Sequence, residues 1–155
     1  FVIRNVAALV PAVTQASNPC SVMSAIEYGV KHLNVEHIVV MGHSHCGGIH
    51  GLMTPESIAG ETYIQDWVSI ASPALERLQA MTGDEDEKTR SRHCEEGAVL
   101  ISLDNLLSYP WIAERVKNGQ LKLHALYYDL SEGNLYRFSP DSEDFELLFH
   151  TIENP

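Results

Sequence analysis

His37-Ile38-Val39-Val40-Met41-Gly42-His43-Ser44-His45-Cys46-Gly47-Gly48 joins an apolar run to a glycine-rich turn, and the reading of this stretch decides the fold. The run is continuous rather than alternating, the pattern of a strand covered on both faces. The turn follows at once, so His43 and Cys46 stand at the strand's C-terminal end, where open α/β sheets place their ligands. Imidazole and thiolate are side chains that zinc prefers, which makes the pair a candidate half of a zinc site. Gly47 and Gly48 carry no Cβ, so a small substrate can approach the backbone and its N–H groups.

A second reading stays open on spacing alone: a buried cysteine and a hydrogen-bonded histidine beside a tight turn. One His-x-x-Cys pair is a weak motif. A phosphatase-type loop is excluded, because the arginine it needs six residues after the cysteine is replaced by Leu52. His45 and His50 are read as bystanders, and Cys20 and Cys94 as structural.

Outward from the turn, residues 1–4 (Phe-Val-Ile-Arg) read as the end of an earlier strand. Val22, Ala25, Ile26, Gly29, Val30 and Leu33 recur at helical spacing between the two. Strand, helix, strand makes a βαβ unit and implies a parallel sheet. Downstream, Ile64, Trp67, Val68, Ala71, Leu75 and Leu78 mark a helix that Pro73 divides or kinks. The charged stretch 83–92 reads as an exposed loop, and Val99, Leu100, Leu103, Leu106 and Leu107 as a helix. Pro110 opens a short helix over 110–117, closed by Gly119. Residues 120–130 are strand-like, 131–134 are a turn, and 135–138 return antiparallel. The acidic tail from residue 139 carries Phe145, Leu147, Leu148 and Phe149, to cover the domain or to serve a partner chain.

The expected fold class is therefore α/β: a mainly parallel β-sheet flanked by helices, with an antiparallel C-terminal hairpin, in a single domain over residues 1–155. The chain of 155 residues begins at Phe1 inside a strand and reads as a piece of something longer. Its net charge of -11 argues against nucleic acid or an anionic membrane as partner. No apolar run is long enough to span a bilayer. Three widely spaced cysteines make a poor disulfide framework and favour a reducing compartment, the cytoplasm first and an organelle as the alternative.

The combination resembles the β-class carbonic anhydrases. The resemblance is carried by residues 1–7 (Phe-Val-Ile-Arg-Asn-Val-Ala), by Ala25-Ile26-Glu27-Tyr28, and by 35–48 with its Gly-His-Ser-His-Cys-Gly-Gly. Ser102-Leu103-Asp104-Asn105-Leu106, Tyr109-Pro110-Trp111 and the region 119–133 add to it. It implies zinc as cofactor, with His43 and Cys46 as two of three protein ligands. It implies that Phe1 and Tyr28 border a small substrate cavity and that Gly47 offers a backbone N–H beside it. The implied reaction is reversible hydration of carbon dioxide to bicarbonate and a proton by zinc-activated water. The implied assembly is a homodimer or a multiple of dimers, with no nucleic-acid or membrane partner. The family's Cys-x-Asp-x-Arg motif, which supplies the remaining ligand, falls upstream of Phe1 and is not among these residues. Two alternatives follow: a non-catalytic or metal-deficient relative, and a hydrolase of another small linear substrate such as carbon disulfide.

Overall fold

The computed structural model describes residues 1–16, 19–81 and 83–150. Helix α1 (Ser21–Lys31) leads into strand β1 (His37–His43), and α2 (Gly47–Met53) follows the turn. Helices α3 (Thr62–Val68) and α4 (Ser72–Ala80) are separated where Pro73 sits in the first turn of α4, as its missing N–H allows. The long α5 (Glu87–Leu107) and the short α6 (Pro110–Lys117) precede β2 (Lys122–Asp129), β3 (Asn134–Ser139) and β4 (Asp144–His150).

The strand order is β1-β2-β3-β4. β1 pairs with β2 in parallel, with Val40 opposite Ala125 and His43 opposite Tyr128. β2–β3 and β3–β4 are antiparallel. The α/β class and the hairpin are as expected. Among the described residues the sheet is mixed, with one parallel pair rather than a parallel majority, because residues 1–4 add no strand and the acidic tail adds β4 as a second antiparallel pair. Phe145 of that tail is buried, while Leu147, Leu148 and Phe149 are exposed. Residues 151–155 of the tail lie outside the described residues.

Three expectations need correction. Residues 1–5 form no strand; extended backbone becomes a strand only where its N–H and C=O groups find a neighbouring ladder, and β1 is the last strand on that side among the described residues. The charged stretch 83–92 is not all loop, because α5 begins at Glu87. Asp86 caps it by accepting the Thr89 N–H at 2.8 Å. Strand β1 is covered on one face only: Val40 is buried, whereas Val39 and Met41 are each 53% exposed.

The buried face of the sheet meets helices. Val40, Ala125 and Tyr127 pack with Val22, Ile26 and Val30 of α1, Val99 and Leu106 of α5, and Ile112 of α6. A second cluster joins Leu9, Cys46, Ile49, Leu52, Leu78, Cys94 and Ala98 beneath α2, α4 and α5. Each large side chain fully buried in such clusters contributes about 1.5–3 kcal/mol.

Polar groups of α5 and the turn after it strap the N-terminal segment to this core. Ser102 Oγ accepts from the Val10 N–H and donates to the Ala8 carbonyl, both at 3.2 Å. Asn105 Nδ2 donates to the Val10 carbonyl at 2.8 Å, and Tyr109 Oη to that of Pro11 at 3.0 Å. Ser102→Ala leaves the Val10 N–H buried without its acceptor and is expected to cost about 1–3 kcal/mol, read by denaturant titration. An unchanged unfolding midpoint would refute the strap.

On the open face, His37 Nδ1 and His124 Nε2 lie 2.9 Å apart. Burial, followed by the neighbouring His37, Arg137 and Lys122, holds His124 below the usual imidazole range. The fold thus favours neutral His124, and between the folded and unfolded pKa values the unfolded chain binds more protons. This stability is complete above the unfolded pKa and is lost as pH falls through the folded one. Wild type is therefore expected to lose more thermal stability than His124→Gln between about pH 7.5 and about 5.5; parallel slopes would dismiss His124 as the cause.

Candidate active site

The turn after β1 is built from the sheet outward. Gly42 is required by packing, since a Cβ there would stand 2.6 Å from Val99 Cγ2. The ladder runs one residue past the strand, with the Ser44 N–H donating to the Tyr128 carbonyl at 2.9 Å. Ser44 Oγ then accepts the Leu130 N–H at 2.8 Å and reaches Asp129 Oδ1 at 3.5 Å. The same Asp129 oxygen accepts the N–H groups of Ser131 and Glu132. The loop after β1 and the turn after β2 are thereby locked together through buried Ser44 and Asp129.

His43 is exposed, and its Nδ1 lies 2.8 Å from the Ser44 carbonyl. A carbonyl only accepts, so Nδ1 carries the proton and the neutral ring keeps its lone pair on Nε2. This is how metal-binding histidines are commonly oriented. His45 has φ +58, which turns the chain between the two candidate ligands, and its Nε2 lies 3.0 Å from Ser131 Oγ. Cys46 is 5% exposed and free of any disulfide. Its N–H donates to Glu95 Oε1 at 2.9 Å, and Tyr127 Oη donates to Glu95 Oε2 at 2.7 Å. Burial first, then the bond to Glu95, pushes the Tyr127 hydroxyl far above its usual range, so it remains a donor.

Two clefts flank the turn. The larger, about 550 Å³, is bordered by Ser44, His45, Arg92, Glu95, Tyr127 and Asp129 among others. The smaller, about 240 Å³, includes His45, Cys46, Ile49, His50, Met53 and Glu95. Gly47 is exposed, and a Cβ placed on it would meet nothing within 4 Å. Gly48 is packed: a Cβ there would stand 2.7 Å from Val6 Cγ1 and 3.1 Å from Ala7 Cβ.

The structure brings Phe1 and Tyr28 together, ring centroids 6.3 Å apart, but neither borders either cleft. They are 73% and 51% exposed. Cys94 is wholly buried, and burial followed by the Glu95 charge pushes its thiol up to about 11, which suits a structural cysteine. Among the described residues no group of three or more His, Cys, Asp or Glu is placed to hold a metal. His43 and Cys46 are a suitable donor pair for zinc, and they are two donors rather than a complete set.

Glu95, Tyr127 and Asp129 are the site residues that reading the sequence missed. Glu95 was findable: it precedes Ala98, Val99 and Ser102 by three, four and seven positions, which puts an acidic residue on the apolar face of a helix.

Comparison with known proteins settles the family. The sequence profile of the carbonic anhydrase family matches residues 1–135. The chain is 38% identical over 142 residues to β carbonic anhydrase 5, chloroplastic, of Arabidopsis thaliana, covering 91% of this chain and 46% of that protein. The chain belongs to the β-class carbonic anhydrases. The solved β-carbonic anhydrase CcaA superposes with a TM-score of 0.88 at 28% identity, covering 95% of this chain and 71% of that one. One of two tetrameric β-carbonic anhydrases from Sordaria macrospora matches with a TM-score of 0.67 at 29% identity, covering 96% and 67%. This β-class chain thus spans about half the length of the curated relative.

Proposed function

We propose that this chain forms part of a zinc-dependent β-carbonic anhydrase that reversibly hydrates carbon dioxide to bicarbonate and a proton. The observation that carries the reading is His43 with Nδ1 committed to the Ser44 carbonyl, three residues from free, nearly buried Cys46 at the carboxyl end of β1. His43 Nε2 and Cys46 Sγ are the two ligands this chain supplies, and the third is expected from a Cys-x-Asp-x-Arg segment that these residues do not contain. Bound there, zinc supplies a Lewis acid that activates water at neutral pH.

The chain's own residues do the rest. The Ser44–Asp129 and Cys46–Glu95 bonds hold the turn rigid. Gly47 leaves its first-turn backbone open, so a small linear molecule can approach the N–H. Phe1 and Tyr28, in contact and exposed, are placed to border a pocket completed by other residues. The exposed face of Val39, Met41 and Phe149 suits the assembly of copies into a dimer or a multiple of dimers. No helix of the described residues is long and apolar enough to cross a membrane; a cytoplasmic or organellar enzyme fits the free cysteines.

A non-catalytic or metal-deficient relative, one that lacks the third ligand, is the second reading. Metal analysis and stopped-flow assay of the protein with its upstream segment separate the two. We expect about one zinc per chain and carbon dioxide hydration that a chelator abolishes and added zinc restores. Absence of zinc would support the second reading, and turnover of carbon disulfide alone would overturn the proposed substrate.

A further inference from the structure

We propose that Glu95 is the positioning residue of the metal-ligand turn, clamping the Cys46 amide to the Tyr127 hydroxyl and so fixing where Cys46 presents its sulfur. The inference rests on the reading of His43 and Cys46 as zinc ligands and adds to it a residue whose two carboxylate oxygens both accept from protein donors.

Glu95 is only 5% exposed and lies on the core-facing side of α5. Burying a carboxylate costs several kcal/mol unless it is paired and hydrogen-bonded. Both of its oxygens are committed, one to the Cys46 N–H at 2.9 Å and one to Tyr127 Oη at 2.7 Å. The ion pair that Arg92 makes is with the next residue, Glu96, at 2.8 Å. Glu95 thus receives its two recorded hydrogen bonds from uncharged donors, one of them the backbone of a proposed ligand.

A purely structural filler at this place would be better served by an apolar residue, because replacing buried charge by well-packed apolar groups is often neutral or stabilising. An acceptor aimed at the Cys46 amide has a different use. It fixes the peptide plane entering Cys46 while His45, at φ +58, fixes the one before. Tyr127 ties the clamp to β2, beside Tyr128, whose carbonyl holds Ser44. The sulfur and the His43 ring are thereby referred to one rigid frame. Groups outside the ligand set that orient ligands in this way typically govern metal affinity 10–100-fold.

The test uses the full-length holoprotein loaded with cobalt(II), whose thiolate charge-transfer band reports the Cys46–metal bond. Affinity comes from chelator competition, and thermal melts are run alongside. Glu95→Ala is expected to weaken cobalt binding roughly 10–100-fold and to shift the band. Glu95→Gln keeps an acceptor for the Cys46 N–H and should recover most of both. Tyr127→Phe, which keeps the ring and loses one hydrogen bond, should fall between wild type and Glu95→Ala; it and Glu95→Gln keep the proposal testable if the alanine variant does not fold. Variants that melt earlier yet bind cobalt with wild-type affinity and spectrum would overturn the clamp. A wild type that binds no cobalt would instead overturn the ligand assignment, and the clamp with it.

Discussion

Replacing Cys46 with serine is expected to strip the full-length protein of stoichiometric zinc and of carbon dioxide hydration while leaving it folded. The substitution exchanges one atom in a side chain that is 5% exposed, so the packing of Ile49, Leu52 and Leu78 around it is nearly preserved. Its backbone N–H still meets Glu95. What changes is the donor: zinc binds thiolate at about 2.3 Å, and a serine hydroxyl holds its proton too tightly to replace it. Paired with it, His45→Ala should retain the metal, because the His45 ring engages Ser131 and is read as a bystander. Zinc retained by Cys46→Ser, or lost by His45→Ala, would show that the wrong residue of the turn was assigned.

The largest stability effect near the site is expected at Gly42. Alanine there would drive its Cβ to 2.6 Å from Val99 Cγ2. Val99 is 1% exposed and β-branched within a helix, where one χ1 rotamer dominates, so it cannot swing aside. Overpacking of this kind costs about 1–3 kcal/mol, which for a chain of this size lowers Tm by about 2–12 °C. Val99→Ala should relieve Gly42→Ala in a double-mutant cycle, and additive penalties would refute the clash. Gly47→Ala is the contrast: with nothing near its Cβ position, stability should stay within about 0.5 kcal/mol. In the proposed function the same methyl group obstructs substrate approach, so a fall in catalytic rate without a fall in Tm is the expected signature. Wild-type catalysis by Gly47→Ala would remove Gly47 from the substrate site.

Much of this was legible in the sequence because local signals and tertiary structure agree. The helical spacing from Val22 to Val30 gave α1, and the uninterrupted run before Gly42 gave β1. What failed depended on neighbours. An extended segment such as 1–4 becomes a strand only beside a ladder partner, and no local pattern reveals whether one exists. An apolar run such as 37–41 does not say how many of its faces are covered. The start of α5 was hidden because its first turns are solvated and charged, and only the capping bond from Thr89 to Asp86 marks it. At the site, His43 and Cys46 stood out in the sequence as a candidate pair, with the family resemblance favouring the zinc reading over a structural one. Asp129 and Tyr127 could not be found, since the Ser44–Asp129 contact spans 85 positions and the Glu95–Tyr127 contact 32.

That separation has a kinetic meaning. The β2–β3–β4 meander closes through neighbouring turns and can form early, whereas the β1–β2 ladder must wait for a long segment of chain, α2 through α6, to fold back on itself. The loop-closure entropy for such a pairing precedes its reward. The turn that carries the proposed ligands is finished only when that ladder is in register, because Ser44 is fixed by Tyr128 and Leu130. Newly synthesised chain is therefore expected to acquire a competent His43–Cys46 pair as one of its last folding events, which makes metal uptake a usable reporter of completed topology.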